Sequence, residues 1–211
     1  TISAANSYIQ LGSTDYGSGG SSSNDGKFMI GFGYTDGLAN TNSPAYIGFE
    51  ETSTSGDTKG DLTFYTRNVI TDTAPTERMR IDTSGNVGIG LTPKTDWHTG
   101  YRAIQIGESS AFFANTAADE VFMVQNARYT SGGWKYNSSG TAALFDMQSG
   151  NTRWRRAVSG SDDGTVSWSD SMFIDTAGEV GIGTTNPSSK LHVQTSHTQT
   201  DVTGANSNST L

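Results

Sequence analysis

The chain has 211 residues, of which 33% are hydrophobic and 26 are glycine, and its formal net charge is -8. A negative field repels phosphate backbones, so we expect no nucleic-acid partner. No run approaches the ~18 apolar residues that span a bilayer, so we expect no membrane insertion. The sequence contains no cysteine, which excludes disulfides and thiolate metal sites. The small hydrophobic fraction favours a chain that completes its core with other copies.

Short alternating runs predict the strands of the first half of the chain, in order at residues 8–12, 27–35, 45–52, 61–68 and 77–82. The sequences Asn24-Asp25-Gly26 and Asp36-Gly37 are typical of tight turns between strands. Pro93 then ends regular strand pairing, because proline lacks the N–H that a sheet ladder needs.

A similar order of strands is predicted in the second half, at residues 101–107, 121–130, 142–149, 152–159 and 166–175, with a turn at Asp163-Gly164. The sequence KLHVQ at residues 190–194 resembles the first strand of a further copy. No segment has the 3.6-residue apolar period and terminal caps of a convincing helix. The spacing of the turns is typical of an all-β fold with antiparallel, sandwich-like modules.

A twelve-residue segment occurs twice, at residues 79–90 (MRIDTSGNVGIG) and 172–183 (MFIDTAGEVGIG). Nine of the twelve positions are identical, and the copies are 93 residues apart. Such a fixed spacing indicates a structural repeat. We therefore predict two tandem modules of about 93 residues, 1–93 and 94–187, each closed by a glycine-rich β-turn segment. Residues 188–211 are predicted to be the start of a third module or a linker.

The glycines of the repeated segment predict a close approach of another backbone. If residues 84–86 form the turn, Ile81 lies opposite Ile89 and Asp82 opposite Gly88, which makes one face aliphatic and leaves little side chain on the other. Glycine in a strand costs about 0.5–1 kcal/mol, so its repeated use needs a cause. We predict that these strands lie near a symmetry axis; the alternative is a tight β-corner within one chain. The predicted assembly residues are Ile81, Val87, Gly88, Ile89, Gly90, Ile174, Val180, Gly181, Ile182 and Gly183.

The segments ERMRIDTSGNVGIGLTP (residues 77–93) and FIDTAGEVGIGTTNPSSKLHV (residues 173–193) resemble recurring segments of bacteriophage tail-fibre and related virion appendage proteins. In that family they are often found upstream of an intramolecular chaperone domain of the endosialidase type. Phe173, Glu179 and Leu91 depart from the family pattern, which has Arg, Asn and Thr there. The resemblance implies a homotrimeric fibre, an extracellular location in the virion and contacts with other virion or tail proteins.

Two groups of aromatic residues are the candidates for contact with a host polysaccharide or protein. Trp97, Trp134 and Tyr136 lie in polar or glycine-rich surroundings, where a flat ring can stack on a sugar. Trp154 lies between Arg153 and Arg155, a local basic spot that can engage an acidic glycan. Packing between modules or subunits is the alternative for both groups. The alternating phenylalanines are expected in the core: Phe28, Phe32, Phe49, Phe64 and Phe122.

The sequence predicts no catalytic residue, no cofactor and no metal site. The glycine order at residues 85–90 is the reverse of a dinucleotide fingerprint, with no helix following. None of the three histidines has a second ligand at metal spacing. Adjacent Glu50 and Glu51 face opposite sides of a strand and cannot form a glycosidase pair. A pair contributed by two chains stays an open alternative.

These observations together predict a structural component of a phage tail fibre or related virion appendage. It serves as a spacer, with host-receptor binding as a second role. The alternatives are a bacterial surface adhesin, located on the cell surface, and a glycan-degrading tailspike.

Overall fold

The structure, a computed structural model, describes residues 26–33, 42–53 and 59–194. In these ranges the fold is all-β, with strands in mixed sheets and no helix. The described part of the chain accordingly has no helix long and apolar enough to cross a membrane. The strand predicted at residues 8–12 and the turn predicted at Asp36-Gly37 lie outside the described residues.

The chain divides into two compact units. The first is drawn from Thr1–Thr95 and Arg102–Glu108, and the second from Asp96–Tyr101 and Ser109–Leu211. Residues 102–108 belong to the first unit, although they follow residues 96–101, which belong to the second. The first unit therefore extends beyond residue 93.

The described part of the first unit contains six strands in chain order: β1 (Lys27–Phe32), β2 (Ala45–Ser53), β3 (Lys59–Thr66), β4 (Thr76–Ile81), β5 (Val87–Ile89) and β6 (Tyr101–Ile106, of which Tyr101 belongs to the second unit). Strands β1 to β5 form an antiparallel meander. Strand β6 pairs with β5 in parallel, with Val87 opposite Ile104. The strand positions are close to those predicted. The prediction of purely antiparallel pairing is wrong, because the chain crosses over after Gly90 and re-enters the sheet parallel to β5.

Up to residue 194 the second unit contains nine strands: β7 (Ser110–Asn115), β8 (Glu120–Gln125), β9 (Ala127–Thr130), β10 (Gly133–Tyr136), β11 (Gly140–Gln148), β12 (Asn151–Gly160), β13 (Ser169–Ile174), β14 (Val180–Ile182) and β15 (Leu191–Val193). The main sheet has the order β7-β8-β11-β12-β13-β14-β15, and β9 and β10 form a separate hairpin. The last pair, β14 and β15, is again parallel. Strands β7 and β10 have no counterpart among the strands that the sequence predicts.

The strand predicted at residues 121–130 is broken at Asn126, which adopts the left-handed conformation with φ 58°. Asparagine tolerates this region because its short side chain bonds to nearby backbone. Here the side chain donates to the carbonyls of Ser138 and Thr141 and accepts from the Ser138 N–H. This break sends β9 and β10 out of the main sheet to form their own hairpin.

The last six strands of the main sheet in the second unit follow the same course as the six described strands of the first unit. Strands β1 to β6 correspond in order to β8, β11, β12, β13, β14 and β15. The register agrees at the repeated segment: Met79 pairs with Ile89 in the first unit, and Met172 with Ile182 in the second. The strand predicted at the start of KLHVQ is confirmed as β15, in the position that β6 occupies in the first unit.

One face of each main sheet is covered by the unit's own chain. In the first unit, Thr63 and Gln105 are fully buried on this face, and the Lys94 N–H donates to Gln105 Oε1 at 3.1 Å. In the second unit, Phe113 and Phe122 stack at 4.7 Å on the face that the β9–β10 hairpin covers, as Trp134 of that hairpin lies 5.8 Å from Phe113. We call these the covered faces.

Candidate functional site

The repeated hairpin has a three-residue loop, one residue earlier than predicted. Ile81 pairs with Val87 and Arg80 with Gly88, so the loop is residues 83–85. Gly85 has φ 83°, the left-handed position that closes this type of loop. The prediction that Ile81 lies opposite Ile89 is therefore wrong by two residues, although both side chains lie on one face as expected.

A carboxylate holds the loop in each copy. Asp82 Oδ1 accepts from the backbone N–H groups of Ser84 at 2.9 Å and Asn86 at 2.8 Å, and Asp82 Oδ2 accepts from the Asn86 side chain at 3.1 Å. Asp175 makes the two backbone bonds at 2.9 and 2.8 Å. In both copies the strand ends one residue before the Asp, earlier than predicted. The Asp belongs to the turn, because its side chain accepts hydrogen bonds from the backbone N–H groups of the turn.

The close backbone approach predicted at the repeated glycines is present within the chain itself. A Cβ at Gly88 would lie 2.7 Å from Pro93 Cδ and nearer still to the Leu91 carbonyl oxygen. A Cβ at Gly181 would meet the carbonyl oxygen of Thr184 in the same way. The chain thus folds back over its own strand at both glycines, and this contact needs no second copy.

The remaining predicted assembly residues differ in exposure. Ile81, Val87, Ile174 and Val180 are half-buried, whereas Ile89, Gly90, Ile182 and Gly183 are exposed. The isoleucines and valines belong to longer rows of apolar residues that run across the strands.

In the first unit two such rows lie side by side on the face opposite the covered face. One row is Phe28-Phe49-Leu62-Ile81-Val87-Ile104, and the other is Ile30-Ile47-Phe64-Met79-Ile89-Ile106. Seven side chains on this face are 36% to 54% exposed: Ile30, Phe32, Ile47, Leu62, Ile89, Ile104 and Ile106. The expectation that Phe32 lies in the core is wrong for the single chain, since it is 48% exposed.

In the second unit the equivalent rows are Phe112-Met123-Phe145-Trp154-Met172-Ile182-Val193 and Ala114-Val121-Met147-Thr152-Ile174-Val180-Leu191. Seven side chains are 38% to 60% exposed: Phe112, Met123, Met147, Trp154, Ile182, Leu191 and Val193. In all four rows only Thr152 is polar. We call the face that carries these rows the open face of each unit.

A cluster of charged residues lies on the covered face of the first unit. Arg80 bonds to three carboxylates: Asp61 at 2.6 Å, Glu50 at 2.7 Å and Glu77 at 2.7 Å. Burial raises the pKa of Glu50, but the hydrogen bond from Lys27 and the charge of Arg80 outweigh it, so the pKa lies below its ordinary value. The Glu77 hydrogen bonds raise the pKa of Arg80 despite its burial.

Arg153 and Arg155, predicted to form a basic spot with Trp154, lie on the covered face of the second unit, away from the Trp154 ring. Arg153 Nε bonds to Asp146 at 2.7 Å, and Arg155 Nε bonds to Asp170 at 2.9 Å. Trp154 is on the open face, with its ring centre 4.9 Å from that of Phe145. The structure therefore separates the tryptophan from the two arginines, whose charges are paired within the unit.

Trp97 and Trp134 both lie against Phe113 in the second unit, and Tyr136 is buried in the same unit. Trp97 and Tyr136 are only 6% and 3% exposed, and the Tyr136 hydroxyl donates to the Val158 carbonyl. Trp134 is half-buried, with its ring centre 5.3 Å from Trp168. The rings of Trp97 and Tyr136 are thus buried within the unit, whereas the alternative to glycan binding had been packing between modules or subunits.

Sequence patterns did not point to Arg128, which connects distant parts of the second unit. Its guanidinium bonds to Asp96 Oδ1 at 2.9 Å, to Asp163 Oδ1 at 2.6 Å and to the Tyr136 carbonyl at 2.8 Å. These partners are up to 35 residues away in the chain, so no local spacing could reveal them. Arg128 ties the β9–β10 hairpin to the loops on either side.

In the second unit a tyrosine hydroxyl and an asparagine side chain donate hydrogen bonds to the same carboxylate. The Tyr101 hydroxyl donates to Glu120 at 2.5 Å, and Asn115 donates to the same carboxylate at 3.1 Å. Burial and this carboxylate raise the pKa of Tyr101 to about 12. The carboxyl groups at Glu50 and Glu120 are thus each engaged by several donors.

In the ranges that the structure describes, no group of three metal-ligating side chains lies together. The sequence matches no model of a known protein family. No curated protein matches it either. The chain is therefore described by its structure alone. It has an all-β fold with a repeated hairpin, clusters of charged residues on the covered faces and large apolar open faces.

Proposed function

We propose that the chain is a structural segment of a bacteriophage tail fibre or related virion appendage, where it serves as a spacer in a homotrimer. The observation that carries the proposal is the repeated course of the two units. Each unit runs through antiparallel strands to a hairpin with an Asp at its entrance, and then continues into a parallel strand.

This course is suited to extension by repetition. Repeat proteins grow by adding similar units, each of which contacts mainly its neighbours. The segments that resemble tail-fibre sequences form β4 and β5 in the first unit and β13 to β15 in the second. The resemblance therefore concerns the part of each unit at which one module ends and the next begins.

The large open faces also favour a structural role in an assembly. Chains with open apolar surface are stabilised when copies cover one another, and the small hydrophobic fraction of the sequence has the same implication. Three copies would also multiply any weak contact with a host surface through effective concentration. Binding of a host glycan or protein stays a prediction. Trp97 and Tyr136 are buried, so they are not part of such a binding surface.

The proposal is tested by labelling. Antibodies raised against the purified chain should decorate the fibres of virions in electron micrographs, and the native protein should have three times the chain mass of 22.3 kDa. Labelling of uninfected bacterial cells, with no labelling of virions, would instead favour the surface-adhesin alternative.

The tailspike alternative has a separate test. Incubation of the native protein with polysaccharide from the host should release no reducing sugar if the chain is a spacer. Release of reducing sugar at a rate proportional to protein concentration would support the alternative, in which two chains together supply the carboxylate pair.

A further inference from the structure

We infer that the open face of each unit is the surface through which copies of this chain associate, and that its occupant is a second copy of the same chain. The inference rests on the proposed homo-oligomeric fibre and adds the part of the molecule that forms its interface. It extends the interface from the repeated segment to the whole apolar face, including Phe112, Met123 and Trp154.

The open faces are at the upper limit of the apolar patches found on monomers. In each unit seven large apolar side chains are about half exposed. Together they leave on the order of 600 Å² of accessible surface in each unit, the upper end of what one patch on a monomer exposes. A standard interface takes about 800 Å² from each partner. The two units therefore offer enough apolar surface for a stable association.

The parts of the sequence outside the described ranges are poor in large apolar residues. Residues 1–25, 34–41, 54–58 and 195–211 contain nine large apolar residues, which are Ile2, Tyr8, Ile9, Leu11, Tyr16, Tyr34, Leu38, Val202 and Leu211. They are dispersed among glycine, serine, threonine and asparagine. These nine residues are fewer than the fourteen exposed side chains of the two faces.

The chemistry of the rows favours a copy of this chain over a sugar or an anionic surface. The rows contain aliphatic and aromatic side chains and one threonine, so they lack the donors and acceptors that orient a sugar. The net charge of -8 opposes association with an acidic surface. The central rows are free of charge, as the core of a protein interface is. Arg80 and Arg153, with their carboxylate partners, lie on the opposite face.

Single cysteines provide a direct test, because the chain has none of its own. Met123→Cys and Leu62→Cys place a thiol on the open face of the second and first unit, and Ala177→Cys places one on an exposed hairpin loop. Labelling of the native protein with a maleimide should be about tenfold or more slower at the two open-face positions than at the loop. In denaturant all three should react at the same rate.

A charge-insertion pair gives a second readout. Leu62→Glu and Met123→Glu should shift the native mass from the multimer toward the single chain, while Ala177→Glu adds the same charge and should leave the multimer intact. Both open-face residues are exposed in the single chain, so the units themselves should still fold.

The outcomes separate this inference from the proposed function. If the native protein is a multimer but Met123→Cys and Leu62→Cys label as fast as Ala177→Cys, the interface lies elsewhere and only the present inference fails. If the unmodified protein has the mass of one chain at all concentrations tested, both the trimeric fibre and the interface are refuted.

Discussion

Gly88→Ala should destabilise the first unit, because the added methyl group has no room. Its Cβ would lie 2.7 Å from Pro93 Cδ and nearer still to the Leu91 carbonyl oxygen, where ordinary contacts begin at about 3.4 Å. Backbone and proline ring atoms cannot rotate away, so the segment that follows the hairpin must shift. Overpacking of this kind costs about 1–3 kcal/mol, and we expect the upper end.

The opposing effect is smaller. Replacing a strand glycine by alanine gains about 0.5–1 kcal/mol where the site has space, since the unfolded chain loses freedom. The net expectation is a loss of about 2 kcal/mol in the free energy of unfolding, measured by urea titration. Gly132→Ala is a matched control, because its Cβ would have Thr130 Oγ1 at 3.6 Å as its nearest neighbour. It should be neutral or stabilising by up to about 1 kcal/mol.

An unchanged or increased stability of Gly88→Ala would refute this reasoning. The same variant also separates the two explanations of the glycine. If the contact is within the chain, the loss should persist when Leu62→Glu has separated the copies. A loss seen only in the multimer would instead favour an axial position of Gly88 between chains.

Four further substitutions address the polar contacts. Arg80→Met removes the cation shared by three partly buried carboxylates and should cost about 3–5 kcal/mol in urea unfolding; a loss below about 1 kcal/mol would mean that water screens these charges. Asp82→Ala removes three hydrogen bonds from its loop and should cost about 2 kcal/mol in urea unfolding. Asp175→Ala removes two and should cost less. A larger loss for Asp175→Ala than for Asp82→Ala would contradict the loop geometry. The pKa of Glu50 is lower in the folded chain than its ordinary 4.5, so its stabilising effect is present above that pH and lost as the pH falls further. Glu50→Gln should therefore flatten the acid side of the stability curve below about pH 5, and an unchanged slope would show that other carboxylates dominate.

The strands were predictable where apolar and polar residues alternate. Residues 45–52 and 61–68 were placed within two residues of β2 and β3, because side chains on one face of a strand recur at every second position. Strand β7 was missed because Phe112 and Phe113 are adjacent and lie between small residues. Both faces of that strand carry an aromatic ring, which removes the alternation.

The hairpin register shows a limit of turn chemistry. Gly85 was correctly expected in the loop, but Asn86 was counted as a loop residue because asparagine is common in turns. In the structure its side chain bonds to Asp82 and accepts from the Ala103 N–H, so it is buried at the end of β5. The contact with Ala103 lies seventeen residues later, so the turn sequence alone does not indicate it.

The aromatic candidates were ambiguous for a related reason. Trp134 and Tyr136 are surrounded in sequence by glycine, serine and asparagine, which is typical of an exposed loop. The hairpin they belong to folds over Phe113 and Phe122, so the same residues form the packed side of a short strand pair. Conversely, Phe32 alternates like a core residue and is exposed, since alternation identifies an apolar face but not what covers it.

The parallel pairing of β5 with β6 determines where the chain can be cut into fragments. A fragment ending at residue 93, the boundary suggested by the repeat, would contain β5 without the strand that completes its ladder. It would also lack both partners of the hydrogen bond from the Lys94 N–H to Gln105 Oε1. The shortest fragment that retains the described contacts of the first unit extends to Glu108. Limited proteolysis should therefore yield a stable product that ends after β6, and experiments that dissect the chain should begin from that end point.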